Sequence, residues 1–233
     1  MKELRALKRV IKLRNLNKIY DKLLKIAYNN NVTIINEREF YQLLEEKIND
    51  INNVKEPILV LKHDVDRMLT PIPIIDEIEK RYNASSTYHV RADENQYKLS
   101  EAKEVFKGLD VALHLVGDVI HDKTKISQYF DDVIGCSTHG GHEKEFIFNE
   151  ELISELSEHF KYVSDGLLRP DPIHFQDHFL LIPIDSADIY FEDLIKKINE
   201  MIELKKIMIL NTHVEYFVPK SYLKAQFKKI FRK

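Results

Sequence analysis

Short apolar runs that alternate with amphipathic stretches, from residue 58 to residue 211, constrain this chain more than any other feature. The runs fall at 58–61, 85–90, 110–114, 133–138, 162–164, 178–184 and 206–211. Each is too short for a helix and reads as a buried strand. Between them, 71–82, 100–107, 125–130, 150–160 and 191–204 repeat apolar residues at helical spacing, with Ser100 as a cap. Strands alternating with helices predict parallel βαβ units wound right-handed, and seven or so such strands suggest an α/β barrel. Upstream, 32–35 reads as a short strand, and Asn36 as the N-cap of a helix over 37–47 with Glu39 at the capping-box position.

A chain of 233 residues can hold one domain of this kind. The balance of 35 Lys/Arg and 38 Asp/Glu gives no global reason to expect nucleic acid. A single cysteine, Cys136, excludes an internal disulfide framework, and inside a predicted strand it reads as a buried structural thiol. With no secretory apolar stretch and no long apolar run, a cytoplasmic protein is expected. Charge is uneven, however. Residues 1–26 carry nine Lys/Arg against Glu3 and Asp21, a net of +7, with Leu4, Leu7 and Ile11, then Leu16, Ile19, Tyr20 and Leu23, at helical spacing. Residues 1–30 therefore form a basic amphipathic helical segment, which either packs on the domain over 31–233 or makes peripheral contact with an anionic membrane.

The first strand of the alternation ends abruptly in HDVDR at 63–67. Alternate strand residues share a face, so Asp64 and Asp66 point the same way at the carboxyl end, where α/β folds collect their chemistry. Two adjacent carboxylates repel unless a cation or hydrogen-bond donors hold both charged. A divalent metal meets that need: one Asp is a ligand and the other accepts a proton from water. Three more predicted strands finish on or beside histidine, at His114, His139 and His213. In a parallel barrel these ends meet on one rim, and imidazoles with a carboxylate suit zinc, or cobalt, nickel, manganese or iron. His63 shares its face with Val65 instead and reads as packing. Tyr88, His89 and Arg91 end the second strand and are candidates to line a cleft; His174 and His178 flank a candidate substrate-facing loop.

HDVDR at 63–67, ALHLVGD at 112–118, STHGG at 137–141, YVSDGLLR at 162–169 and ILNTHVEY at 209–216 occur in an order and spacing that resemble the polysaccharide deacetylase superfamily. This superfamily is that of the NodB homology domain, or carbohydrate esterase family 4, and the closest look is to its divergent HDVD-type branch. The resemblance implies a distorted (β/α)7, TIM-like barrel, here with extra N-terminal helices. It further implies metal-dependent hydrolysis of an N- or O-acyl group on a sugar. By the same resemblance Asp64 matches the catalytic base, Asp66 and His114 the metal ligands, and His213 the acid that protonates the leaving group. Asp165 and Arg169 match a motif that orients the site. The family's second metal His is replaced by Asp118, so the third ligand is His139 or Asp118, with His139 preferred. The Arg that tunes the family's base is missing, and Arg67 or Arg169 is a candidate replacement. The expected substrate is a nucleotide-linked or lipid-linked sugar precursor for surface polysaccharide. The alternatives are a catalytically degenerate barrel that binds a glycan or a partner, and a metal-dependent phosphoesterase, which lacks its usual His-x-His pair here.

Overall fold

The computed structural model describes residues 16–47, 55–139, 150–165, 173–176, 178–184, 186–187 and 191–217. The chain enters through helix α1 (Leu16–Asn29), whose Tyr20, Leu23, Leu24 and Ala27 form one buried stripe at helical spacing. Each large apolar side chain buried this way contributes about 1.5–3 kcal/mol. This part of the basic segment therefore packs on the domain, whereas residues 1–15 lie outside the described residues. Strand β1 (Thr33–Asn36) and helix α2 (Glu37–Lys47) follow. Between them the expected capping box forms. Asn36 Oδ1 accepts from the Glu39 N–H at 2.8 Å, and Glu39 Oε2 accepts from the Asn36 N–H at 3.1 Å.

The alternation then unfolds in order: β2 (Ile58–Val65), α3 (Ile72–Lys80), β3 (Thr87–Arg91), α4 (Leu99–Val105), β4 (Asp110–Leu115), α5 (Val119–Ile126), β5 (Gly135–Thr138), α6 (Glu150–His159) and β6 (Tyr162–Asp165). A hairpin of β7 (His174–Gln176) and β8 (Phe179–Pro183), the short β9 (Ser186–Ala187), α7 (Phe191–Leu204) and β10 (Ile207–His213) complete it. Seven strands lie parallel in the order β8-β6-β5-β4-β3-β2-β10. β7 adds antiparallel to β8, β9 adds parallel to β10, and β1 pairs with the first half of β2.

The sheet is curled. Lys62 on β2 donates from Nζ to the Ser164 carbonyl on β6 at 3.1 Å, although three strands separate them in the sheet order. In a flat sheet that separation is about 19 Å, far beyond one side chain. The curl makes a half-barrel with helices outside, and no pairing among the described residues closes it between β7 and β9. Two apolar clusters mark its faces. Leu59, Leu61 and Val65 of β2 pack outward among the helices, and Ile58 and Val60 pack inward with Tyr162, Leu180, Ile182 and Ile209. Phe40, Tyr41 and Leu44 of α2 join the inner cluster and plug the amino end of the curl. Gly135 is required there, because a Cβ would stand 2.0 Å from the Tyr162 ring.

Two predicted helix starts move. The helix expected over 125–130 begins at Val119, because Asp118 supplies its cap. The helix expected from Ser100 begins at Leu99, whose N–H is accepted by Glu94 Oε1 at 3.0 Å, so Ser100 is not its cap.

Candidate metal centre

β2, β4, β5 and β10 are neighbours or near neighbours in the sheet, so their carboxyl ends arrive at one rim. Asp66, just past β2, His114 on β4 and His139, just past β5, each turn one donor atom to a common point. His114 Nε2 lies 3.3 Å from Asp66 Oδ1, His139 Nδ1 lies 3.2 Å from the same oxygen, and the two nitrogens are 3.0 Å apart. Asp66 Oδ1 is buried with no hydrogen-bond partner. That combination fits a cation. Three ligands at 2.0–2.1 Å in tetrahedral array around one ion stand about 3.3–3.4 Å apart, close to this triangle, and an N₂O donor set suits zinc or a similar divalent ion.

Local contacts aim the ligands. His114 Nδ1 lies 2.8 Å from Ser137 Oγ, which can accept the ring N–H and leave Nε2 free to ligate. The His139 N–H donates to the Leu115 carbonyl at 2.8 Å, carrying the β4–β5 pairing one step past β5. Arg91, held by Asp93 at 2.6 and 3.1 Å, stands 3.4 Å from His139 Nε2 and walls that side of the rim. Burial lowers the pKa of His114 against the pull of Asp64 and Asp66, so the ring is held neutral, as a ligand must be. Burial opposes ionisation of Asp66, but contacts with His114 and His139 outweigh it and keep its pKa below the ordinary carboxylate range.

Asp64 sits under this triangle, in register with His213 across the β2–β10 pair. Its Oδ2 accepts from Asn211 Nδ2 at 2.7 Å, and its Oδ1, which has no hydrogen-bond partner, lies 3.5 Å from Lys62 Nζ. Burial again opposes the charged form, and Lys62, then His114, His213 and His89, hold the Asp64 pKa below its ordinary value. His213 is half-buried at the cluster's edge, with Nε2 3.6 Å from Asp66 Oδ2 and its ring packed on Tyr216. One side of the rim thus offers a carboxylate held ionised, and another offers an imidazole.

Asp118 takes no part in the triangle. Its side chain accepts the His121 N–H at 2.8 Å as the N-cap of α5. β4 ends at Leu115, so four residues past His114 is already the start of a helix rather than the next turn of one. We expect Asp118→Ala to lose about 0.5–2 kcal/mol of stability by thermal melting while keeping full metal stoichiometry. Loss of metal would restore Asp118 as the third ligand.

Arg67 does not take the tuning position. Arg67 is exposed, and its backbone N–H donates to Glu215 Oε1 at 2.5 Å; Arg169 lies outside the described residues. Asp165 is buried at the end of β6, accepting from the N–H of Thr138 at 2.9 Å and from its hydroxyl. It braces β5 and β6, the strands beneath His139. His63 packs outward, as its parity predicts, against Glu79 at 2.8 Å and Thr212 at 2.5 Å. His89 is buried, with Nε2 2.6 Å from Glu37 Oε2. His178 stands 3.6 Å from Glu45 of α2, at the amino end of the curl.

The chain matches no family model, and no curated protein matches it in sequence. Among solved structures it is similar to Streptococcus pyogenes deacetylase PplD in complex with acetate, with a TM-score of 0.52. Sequence identity is 15%, over 78% of this chain and 86% of the other. At that identity the likeness is one of fold: this is a deacetylase-like fold.

Sequence reasoning missed Lys62, Asn211, Ser137 and Glu215. Lys62 had a usable signal, since it interrupts an apolar run two residues before Asp64 and therefore shares its face. Asn211 had the same signal, two residues before His213. Glu215 is half-buried near the cluster, and burial, with Asp66 nearby, raises its pKa. Nothing in its sequence context marks it.

Proposed function

We propose that this chain is a metal-dependent deacylase that hydrolyses an N- or O-acyl group on a sugar. The observation that carries this reading is the triangle of Asp66, His114 and His139 with Asp64 and His213 on the same rim. The fold likeness to a deacetylase supports it. A divalent ion held by the three ligands would polarise the acyl carbonyl and acidify a water molecule.

The remaining work falls to the chain's own residues. Asp64 is held ionised, with Oδ2 fixed by Asn211, so Oδ1 is the oxygen left to take a proton from water as its oxygen attacks the carbonyl carbon. The C–N or C–O bond then breaks, and His213 donates a proton to the departing amine or alcohol. The products are a carboxylate and the free sugar amine or hydroxyl.

The test is release of free carboxylate from N-acetylated oligosaccharides, nucleotide-linked N-acetyl sugars and O-acetylated sugars, with and without a chelator. Chelator-sensitive acetate release from at least one class is expected. No release from any of them by protein carrying a full equivalent of metal would overturn the reading.

A further inference from the structure

A cleft opens at the opposite end of the sheet from the metal cluster. Helices α1 and α3 finish beside each other, and each passes toward its strand through an asparagine in the left-handed region, Asn31 (φ 55°) and Asn83 (φ 51°). Between these turns and the outer edge of β1 lies an open cavity of about 770 Å³. In the β1–β2 pairing Thr33 stands opposite Ile58, and Asp66 is eight residues beyond Ile58, about 26 Å away at the rise of a strand. The cavity is therefore no part of the rim.

Its lining is aromatic and carries unused hydrogen-bonding groups. Tyr28 is 54% exposed, and its ring lies 6.0 Å from that of Tyr82 at an angle of 57°. Thr33 donates its backbone N–H to the Pro57 carbonyl at 3.2 Å, so residue 33 faces β2 and, by alternation, the N–H and carbonyl of Ile34 face the cavity. Among the described residues no strand pairs with that edge, and the Tyr28 hydroxyl and the side-chain amides of Asn31 and Asn83 have no hydrogen-bond partner. The charged groups here are already committed. Lys80 Nζ donates to Asp76 at 2.6 Å, and Glu39 accepts from the Asn36 N–H at 3.1 Å and from the Ser85 hydroxyl at 2.8 Å.

These features select the occupant. Without an uncommitted charge, the cavity offers little to a phosphate or a nucleic acid. An added peptide strand needs several edge residues, but the contacts among Asn36, Glu39 and Ser85 close the edge after Ile35 and leave Ile34 as the one residue of β1 facing outward. A sugar fits better, since its C–H face packs on tyrosine rings and its hydroxyls exchange hydrogen bonds with amides, hydroxyls and a backbone N–H and carbonyl. We propose that this cleft is a saccharide-binding site, remote from the metal cluster, that holds an uncharged oligosaccharide against Tyr28 and Tyr82. The inference stands on the cleft alone and does not depend on the reaction assigned to the rim.

The test is calorimetric titration of the full chain with neutral hexasaccharides: maltohexaose, cellohexaose and hexa-N-acetylchitohexaose. At least one should bind with a dissociation constant of about 1 mM or tighter. Tyr28→Ala should weaken that binding at least about tenfold. Asn83→Gly, which suits the left-handed backbone while removing the amide, should weaken it about threefold or more. Both side chains are exposed, so melting temperatures should match that of the unaltered protein, and Asn83→Gly decides the matter if Tyr28→Ala misfolds. Asp66→Ala should bind the sugar as the unaltered protein does. No binding of any hexasaccharide, or binding that Tyr28→Ala and Asn83→Gly both leave unchanged, would overturn the proposal. Binding lost in Asp66→Ala would overturn it too, by placing the sugar on the rim, where acetate release is the separate test. Tighter binding of a heptapeptide of alternating valine and threonine than of any sugar would give the cleft to a peptide and likewise overturn it.

Discussion

His114→Ala is expected to cripple metal binding at the Asp66, His114 and His139 cluster. Removing one of three ligands is expected to weaken binding by more than about 100-fold, since loss of a mere outer partner already costs 10–100-fold. The readout is thermal melting with added Zn²⁺. At 100 times its dissociation constant a bound ion stabilises the native state by about 2.7 kcal/mol, which in a chain of this size raises the melting temperature by roughly 5–10 °C. The unaltered protein should show that rise, and His114→Ala, Asp66→Ala and His139→Ala should not. The apo form of His114→Ala also loses a partner for Ser137, a cost of about 1–3 kcal/mol, so the comparison must be the metal-induced rise within each protein. A full rise in His139→Ala would remove that residue from the ligand set.

Lys62→Met is the most destabilising single change the rim predicts. Lys62 is 1% exposed and faces Asp64, itself buried, 3.5 Å away. Removing the ammonium leaves a buried carboxylate without its nearest countercharge, at a cost of about 3–5 kcal/mol. The pH dependence has a definite sign. Lys62 helps hold the folded-state pKa of Asp64 below its ordinary value, so this contribution is complete above about pH 4 and is lost as pH falls through the folded-state pKa. Denaturant melts should therefore show the gap between the two proteins at neutral pH and a narrowing gap in acid. A constant gap would mean that Lys62 acts through packing and not through Asp64.

Much of this rim was legible from residue order alone, and for physical reasons. The strand before Asp64 was readable because four apolar residues cannot make a helix, and parity then fixed which of His63, Asp64 and Asp66 face inward. His114, His139 and His213 could be grouped because a parallel sheet places strand ends together. The identity of the third ligand was not legible, since both Asp118 and His139 have plausible donors. Only the backbone at 115–118, which ends a strand and starts a helix, turns Asp118 into a cap. The cation beside the base was sought among arginines, yet the curl of the sheet supplies it from within β2, by letting Lys62 reach Ser164 across the interior. Closure of the barrel likewise depends on how edge strands meet, which residue patterns within each strand do not encode.

Acetate release by the metal-loaded protein, compared with Asp64→Asn at equal metal content, tests the central claim most directly. Asp64→Asn keeps the shape of the side chain and its contact with Asn211 but cannot take a proton. The account predicts unchanged metal binding and a loss of turnover of about 10²–10⁴-fold. Turnover equal to that of the unaltered protein would contradict it.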